Sequence, residues 1–326
     1  MLAVLLAAVL SGVARAGDVT DVKPWLKRMS QASQTLSYKG RFVYTRDADT
    51  SLLEIVHVVV DDGSREKITS LSGEPQELIR DQKGYVYLMN AGDPLIVDKR
   101  ALEAPLAVRI ENHLEQLLVN YTVELAETDR VAGRRSQVIT IVPRDNYRYS
   151  YRLWVDETTG FLTRSELRNE RGDVVEHIMF SDIDLAAEPT QEMLHAVQEG
   201  VDLSAGAEEV AGLSAPAVTD RDDHAFWEVD GKPLGFWREH AEKDIRLGPK
   251  KTVAYLLMTD GLASVSIYIE PVKHGNHSQL GASRAGALSA YGRVLDDYQV
   301  TVVGEVPPAT ARTIGEAVVR AKMSQR

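Results

Sequence analysis

From residue 38 to residue 180 the apolar residues recur mostly with a period of two, and that rhythm limits the folds open to the chain. Tyr38, Gly40, Phe42 and Tyr44 alternate with Lys39, Arg41 and Thr45, as in a strand with one buried face. Similar runs follow at 53–60, 65–71, 76–80 and 85–89, then at 121–128, 136–142, 147–155, 162–168 and 174–180. Turn residues separate them, among them Asp61-Asp62-Gly63, Asp156-Glu157-Thr158-Thr159-Gly160 and Glu170-Arg171-Gly172-Asp173. Connections this short join antiparallel neighbours, because parallel strands need a crossover of a dozen or more residues. Two stretches have helical spacing instead. Asp21 opens the first, with Pro24 in its first turn and Trp25, Met29, Ala32 and Leu36 on one face. The second follows Pro105, with Leu106, Ile110, Leu114 and Leu117 on one face. The expectation is one large, curved antiparallel sheet covered on one side by helices, an α+β fold that is mainly β.

The pattern stops near residue 199. Gly, Ala, Ser, Pro and acidic residues dominate as far as residue 223, a composition suited to a linker or to an extended loop. A chain of 326 residues is long enough for two domains at roughly 100–200 residues each. The predicted division is 17–200, a linker at 201–222, and a smaller domain at 223–326. In the second part, runs at 252–258 and 263–270 flank Thr259-Asp260-Gly261-Leu262, a hairpin signal. A strand is expected at 300–303. A last helix starts at Pro307-Pro308 with Ala311, Ile314, Val318 and Ala321 on one face.

Residues 1–16 form a separate object. Nine apolar residues at 2–10 precede Ala14-Arg15-Ala16. No Lys or Arg stands in front of them, and they read as the core and small-x-small cleavage site of a signal peptide, the alternative being a buried helix. No other stretch reaches the ~18 apolar residues of a membrane span. With no cysteine there is no disulfide, zinc-thiolate site, Cys nucleophile or lipid-anchoring Cys. In a Gram-negative source, an exported chain without such an anchor is expected in the periplasm. The net charge of −11 argues against nucleic acid as a partner.

Motifs of catalysis are missing. There is no G-x-S-x-G elbow, P-loop or G-x-G-x-x-G. His274-Gly275-Asn276-His277 reads as a solvated loop rather than a metal pair, because Gly and Asn favour a turn. The adjacent acids sit in turns, where they cannot converge as an acid–base pair. His57, in a Val-rich strand, reads as a structural histidine. No enzyme activity, cofactor or metal is expected.

One constellation stands out. In RDNYRYSYR, Arg144, Arg148 and Arg152 recur every four residues and would share one strand face. Tyr147, Tyr149 and Tyr151 would share the other. The arginine row is either a solvated face or a binding row for an acidic partner or a lipid phosphate. The tyrosine face, with Trp25, Met29, Phe42 and Tyr44, is either a dry core or the wall of an acyl-chain cavity.

The run from Arg130-Val131-Ala132-Gly133-Arg134 through RDNYRYSYRLWVDETTGFLTRSELRNERGDVVEHIMFSDI resembles the RseB/MucB family of periplasmic regulators of envelope-stress sigma-factor signalling, its MucB branch above all. WLKRMSQASQTLSYKGRFVY is similar to the family's opening helix and strand. TDGLASVSIYIEP and VTVVGEVPPATARTI are similar to its second-domain signatures. FWEVDGKPLGFW keeps Leu234-Gly235-Phe236 but departs from the family's tryptophan-proline pattern there. The resemblance implies a half-closed antiparallel barrel like that of the lipoprotein carriers, with helices in its concavity, followed by a smaller α/β domain. It implies binding to the periplasmic segment of a membrane-spanning anti-sigma factor, protection of that segment from proteolysis, and release by lipid or lipopolysaccharide. A homodimer is a further expectation of the resemblance. The alternative is a periplasmic lipid or lipoprotein carrier.

Overall fold

The computed structural model describes residues 19–61, 63–73, 76–80, 86–89, 95–97, 106–186, 190–193, 227–231, 233–246, 252–272 and 280–321. The expected signal peptide, the expected linker and the His274/His277 pair lie outside the described residues. Helix α1 (Val19–Thr35) leads into β1 (Ser37–Arg46), β2 (Asp49–Val60), β3 (Gly63–Ser70), β4 (Glu77–Arg80), β5 (Val86–Met89) and β6 (Leu95–Val97). Two short helices follow, α2 (Leu106–Asn112) and α3 (Leu114–Asn120). Then come β7 (Tyr121–Val131), β8 (Arg134–Pro143), β9 (Ser150–Asp156), β10 (Leu162–Arg168) and β11 (Val174–Ala186).

These strands form one sheet in the order β6-β5-β4-β3-β2-β1-β11-β10-β9-β8-β7. It is two meanders joined where β1 pairs antiparallel with β11, Phe42 opposite Phe180. The alternation seen in the sequence sets which residues turn inward. Val22, Leu26 and Met29 of α1 pack with Ile110 of α2, Leu117 of α3 and the inward residues of β7, β8 and β9, such as Val123, Ile139 and Leu153. Met29 also reaches the opposite half, where Phe42, Ile55 and Phe180 gather. A sheet that touches the same helix from both halves has to curve around it. The outer face is not bare, for Val56 and Val58 are buried against Met193.

Three local expectations need correction. Helix α1 starts at Val19, so Pro24 lies inside it, and its buried stripe is Val22, Leu26, Met29 and Ala32, with Trp25 only partly buried. The second helix is broken at His113 (φ −117°, ψ 20°) into α2 and α3. The last helix stops at Glu316, and Val318 belongs to a strand.

The second unit contains β12 (Trp227–Val229), a 3-10 turn at Pro233–Gly235, β13 (Trp237–Arg246), β14 (Thr252–Thr259), β15 (Ser264–Pro271), β16 (Gly281–Ala285), β17 (Leu288–Leu295), β18 (Tyr298–Gly304), α4 (Pro308–Glu316) and β19 (Val318–Arg320). Its sheet runs β13-β14-β15-β18-β17-β16, and β12 pairs with β19. The expected hairpin forms, with Thr259 opposite Ser264. Ala311 and Ile314 of α4 seal one face over Val265, Ile267, Val300 and Val302. Each buried Val or Ile side chain contributes roughly 1.5–3 kcal/mol.

Candidate functional site

Two places in the first unit carry features beyond plain packing. One is a cavity of about 260 Å³ between the sheet and α1/α2. Its floor is aromatic: Phe42 lies 5.5 Å from Phe180 between ring centroids, Phe161 5.2 Å from Phe180, and Tyr38 4.8 Å from Phe161. Met29 of α1 and Leu106 and Ala107 of α2 form the helical wall. One corner is polar. His57 Nδ1 lies 3.4 Å from Glu66 Oε2, and the Tyr38 ring stacks on the imidazole at 5.0 Å. An apolar hollow with a few polar groups is the usual build of a small-molecule site.

Of the seven residues expected to line such a wall, Met29 and Phe42 do so. The other five lie elsewhere. Trp25 packs at the edge of the core under the Arg28 guanidinium, 5.1 Å from its ring. Tyr44 hydrogen-bonds Glu176 (3.2 Å) and accepts from Arg46 Nε (2.9 Å); burial, then the Glu176 charge, pushes its hydroxyl up to about 12. Tyr149 and Tyr151 are buried in the core beside the cavity, and Tyr147 is exposed. His57, Glu66, Phe161 and Phe180 line the cavity as well and are not among the residues expected there. Period-two alternation through Ile178 and Phe180 could have shown one wall. In β2 no alternation could, because LLEIVHVVV is apolar on both faces.

The arginine row is also corrected. Residues 144–148 are bends, and β9 begins only at Ser150. The reason is turn chemistry: Asp145 Oδ1 accepts the Tyr147 N–H at 3.0 Å, and the Arg144 N–H bonds the Asn120 carbonyl. Arg144 is left exposed. Arg152 sits on β9, bonded to Glu127, with its guanidinium 5.0 Å from the Trp154 ring. Across the strand pair, Arg164 lies 4.3 Å from the same ring and shares Glu166 with Arg168. Burial pushes the Glu166 carboxyl up, but bonds and charge from Arg168 and Arg164 outweigh it and hold it below the ordinary carboxylate value.

Arg148 belongs to the second place, the seat of the second unit on the first. Its Nε donates to Asp260 Oδ2 at 2.5 Å, and both side chains are fully buried. Its two Nη groups bond Asp145 and the Leu234 carbonyl. Tyr121 Oη also donates to Asp260 Oδ2, at 2.9 Å, while Asp260 Oδ1 accepts the N–H groups of Leu262 and Ala263. Burial, then the Asp260 charge, pushes the Tyr121 hydroxyl well above its ordinary value, so it stays a donor. A buried charge pair is tolerated when its remaining donors and acceptors are met in this way.

The rest of the seat is close-fitting. Arg109 Nη1 of α2 donates to the Leu262 carbonyl at 2.8 Å. Gly261 has φ +94°, and a Cβ there would stand 2.7 Å from His113 Cβ, so only glycine fits. Leu262 and Ala287 join the first unit's own core. Thr310 Oγ1 of α4 donates to the Tyr147 carbonyl at 2.7 Å. Nearby, burial and then the Glu305 charge push the Glu176 carboxyl up.

Comparison with known proteins covers both units. Residues 21–198 match the model of the MucB/RseB N-terminal domain, and residues 221–319 that of the MucB/RseB C-terminal domain. The sigma factor AlgU regulatory protein MucB of Pseudomonas aeruginosa is 33% identical over 309 residues, 93% of this chain and 92% of that protein. The sigma-E factor regulatory protein RseB of Haemophilus influenzae is 24% identical over 316 residues, 97% and 96% of the two chains. Among solved structures, the MucA/MucB complex of Pseudomonas aeruginosa matches with a TM-score of 0.68 at 30% identity, over 93% of this chain and 99% of that one.

Proposed function

The chain belongs to the MucB/RseB family of sigma-factor regulatory proteins, and on that premise we propose that it is a periplasmic negative regulator. It binds the periplasmic segment of a transmembrane anti-sigma factor and shields that segment from proteolysis. The observation that carries this reading is the likeness, along both units, to a protein solved in complex with MucA. The periplasmic location is supported by the export signal read in residues 1–16. Lipid or lipopolysaccharide acts as the release signal, and the cavity under α1 and α2 is where an acyl chain is received.

For the partner, Arg144 and Arg152 are the contacts favoured on the first unit. Arg148 is not, because it is spent on Asp260. The test is calorimetric titration of the chain with the cognate anti-sigma periplasmic segment, paired with a protease digest of that segment. Saturable binding and slowed cleavage are expected; no saturable binding would sink the reading. Replacing Arg144 and Arg152 by Ser should weaken binding and reduce its salt dependence.

The cavity alone also suits a lipid or lipoprotein carrier. Transfer of an acylated protein between vesicles, with no effect on cleavage of the anti-sigma segment, would favour the carrier.

A further inference from the structure

Helix α2 touches both the cavity and the seat of the second unit within two turns. Leu106 and Ala107 line the cavity. Arg109, less than a turn further on, holds the Leu262 carbonyl, and His113 ends the helix against Gly261 with its ring 5.9 Å from Trp237. From Leu106 to His113 is about 10 Å along the axis. Strand β1 also reaches both places, through Phe42 at the cavity and Arg46 against Gly286. However, β1 is held along its length by β2 and β11. Helix α2 has seven residues, too few to be stable alone, and it is kept in place by side-chain packing on α1 and the core.

The cavity is also small. Its volume of about 260 Å³ is below the ~300–1,000 Å³ of ordinary ligand sites, so an acyl chain needs a wall to yield. The strand wall is hydrogen-bonded through β3, β2, β1, β11 and β10. The helical wall has no such backbone ladder to the sheet among the described residues and is held by side-chain contacts, such as Arg28 to the Glu157 carbonyl and Arg109 to the Leu262 carbonyl.

We propose that α2 is the link between the cavity and the domain seat: an acyl ligand displaces Leu106 and Ala107, carries Arg109 and His113 away from the Asp260–Leu262 turn, and loosens the second unit. This rests on the cavity being the lipid site of the proposed function. Coupling of this kind is reciprocal. A ligand that must break the Arg109 bond binds more tightly once that bond is already gone.

The probe is 11-(dansylamino)undecanoic acid, titrated into the whole mature chain by fluorescence. The chain has no cysteine, so spin labels at Arg41→Cys and Val294→Cys report the distance between the units by pulsed electron resonance. Saturable binding, a shifted or broadened distance on saturation, and an affinity about tenfold higher in Arg109→Met are expected. Methionine keeps the aliphatic stem and removes the donor, and the distance measurement in the otherwise wild-type chain stands even if that variant folds poorly. Binding with no change in distance would overturn the link and leave the lipid reading intact. A change in distance with unaltered affinity in a folded Arg109→Met would overturn α2 as the route. Absence of saturable binding would remove the lipid reading and the link together.

Discussion

The two ends of the half-barrel solve opposite problems under the same helices. At the cavity, aromatic rings and one His–Glu pair surround space that no side chain fills. At the seat, an arginine and an aspartate are buried with their donors and acceptors met, and a glycine leaves no room even for a methyl group. A filled interface gains dispersion contacts and resists change, whereas an unfilled one gives those up and can accept a ligand. Added side-chain bulk should therefore cost stability at the seat and be tolerated at the cavity.

The largest effect is expected at the ion pair. Arg148→Met leaves Asp260 buried without its cation and should cost about 3–5 kcal/mol in denaturant unfolding. Arg148→Met with Asp260→Leu should recover part of that loss. Full recovery is not expected, because Asp260 also holds the Leu262 and Ala263 amides. A loss under ~1 kcal/mol in the single variant would mean that the seat opens readily in solution.

Enlarging residues comes next and separates the two ends directly. Gly261→Ala meets His113 Cβ and a left-handed backbone, so a loss of about 1–3 kcal/mol is expected. Ser165→Leu adds more atoms but points into the cavity, so its stability change should stay under about 1 kcal/mol while acyl-probe binding weakens. Equal losses from the two substitutions would erase the distinction.

The smallest effect is one of pH. The Glu176 carboxyl is raised above its ordinary 4.5 by burial and then by Glu305. Folded Glu176 therefore keeps a proton that the unfolded chain has lost. Its contribution is most favourable below pH 4.5 and fades as pH rises through the raised value. Urea midpoints followed across that range should show the slope in the parent chain and a flatter one in Glu176→Gln.

Much of the fold was legible in the sequence. Period-two alternation placed β1 and most of β7–β11, and Thr259-Asp260-Gly261-Leu262 marked its hairpin. The site was less legible. Arg148 looked like one of a row because spacing by four shares a strand face, but Asp145 bends the chain before the strand begins. Its partner is 112 residues away, beyond the reach of local pattern. His57 and Glu66 pair by strand register, which a strand apolar on both faces does not reveal.

Because the seat buries Arg148 with Asp260 and takes Leu262 and Ala287 into the first core, the two cores should unfold as one unit. The chain has four tryptophans, Trp25 and Trp154 in the first unit and Trp227 and Trp237 in the second. Replacing either pair by phenylalanine leaves a fluorescent reporter in one unit only. Urea unfolding of the two variants, each checked against far-UV circular dichroism, should give one coincident transition. Separate midpoints for the two reporters would contradict the claim and make the Arg148–Asp260 seat a contact between independently folding domains.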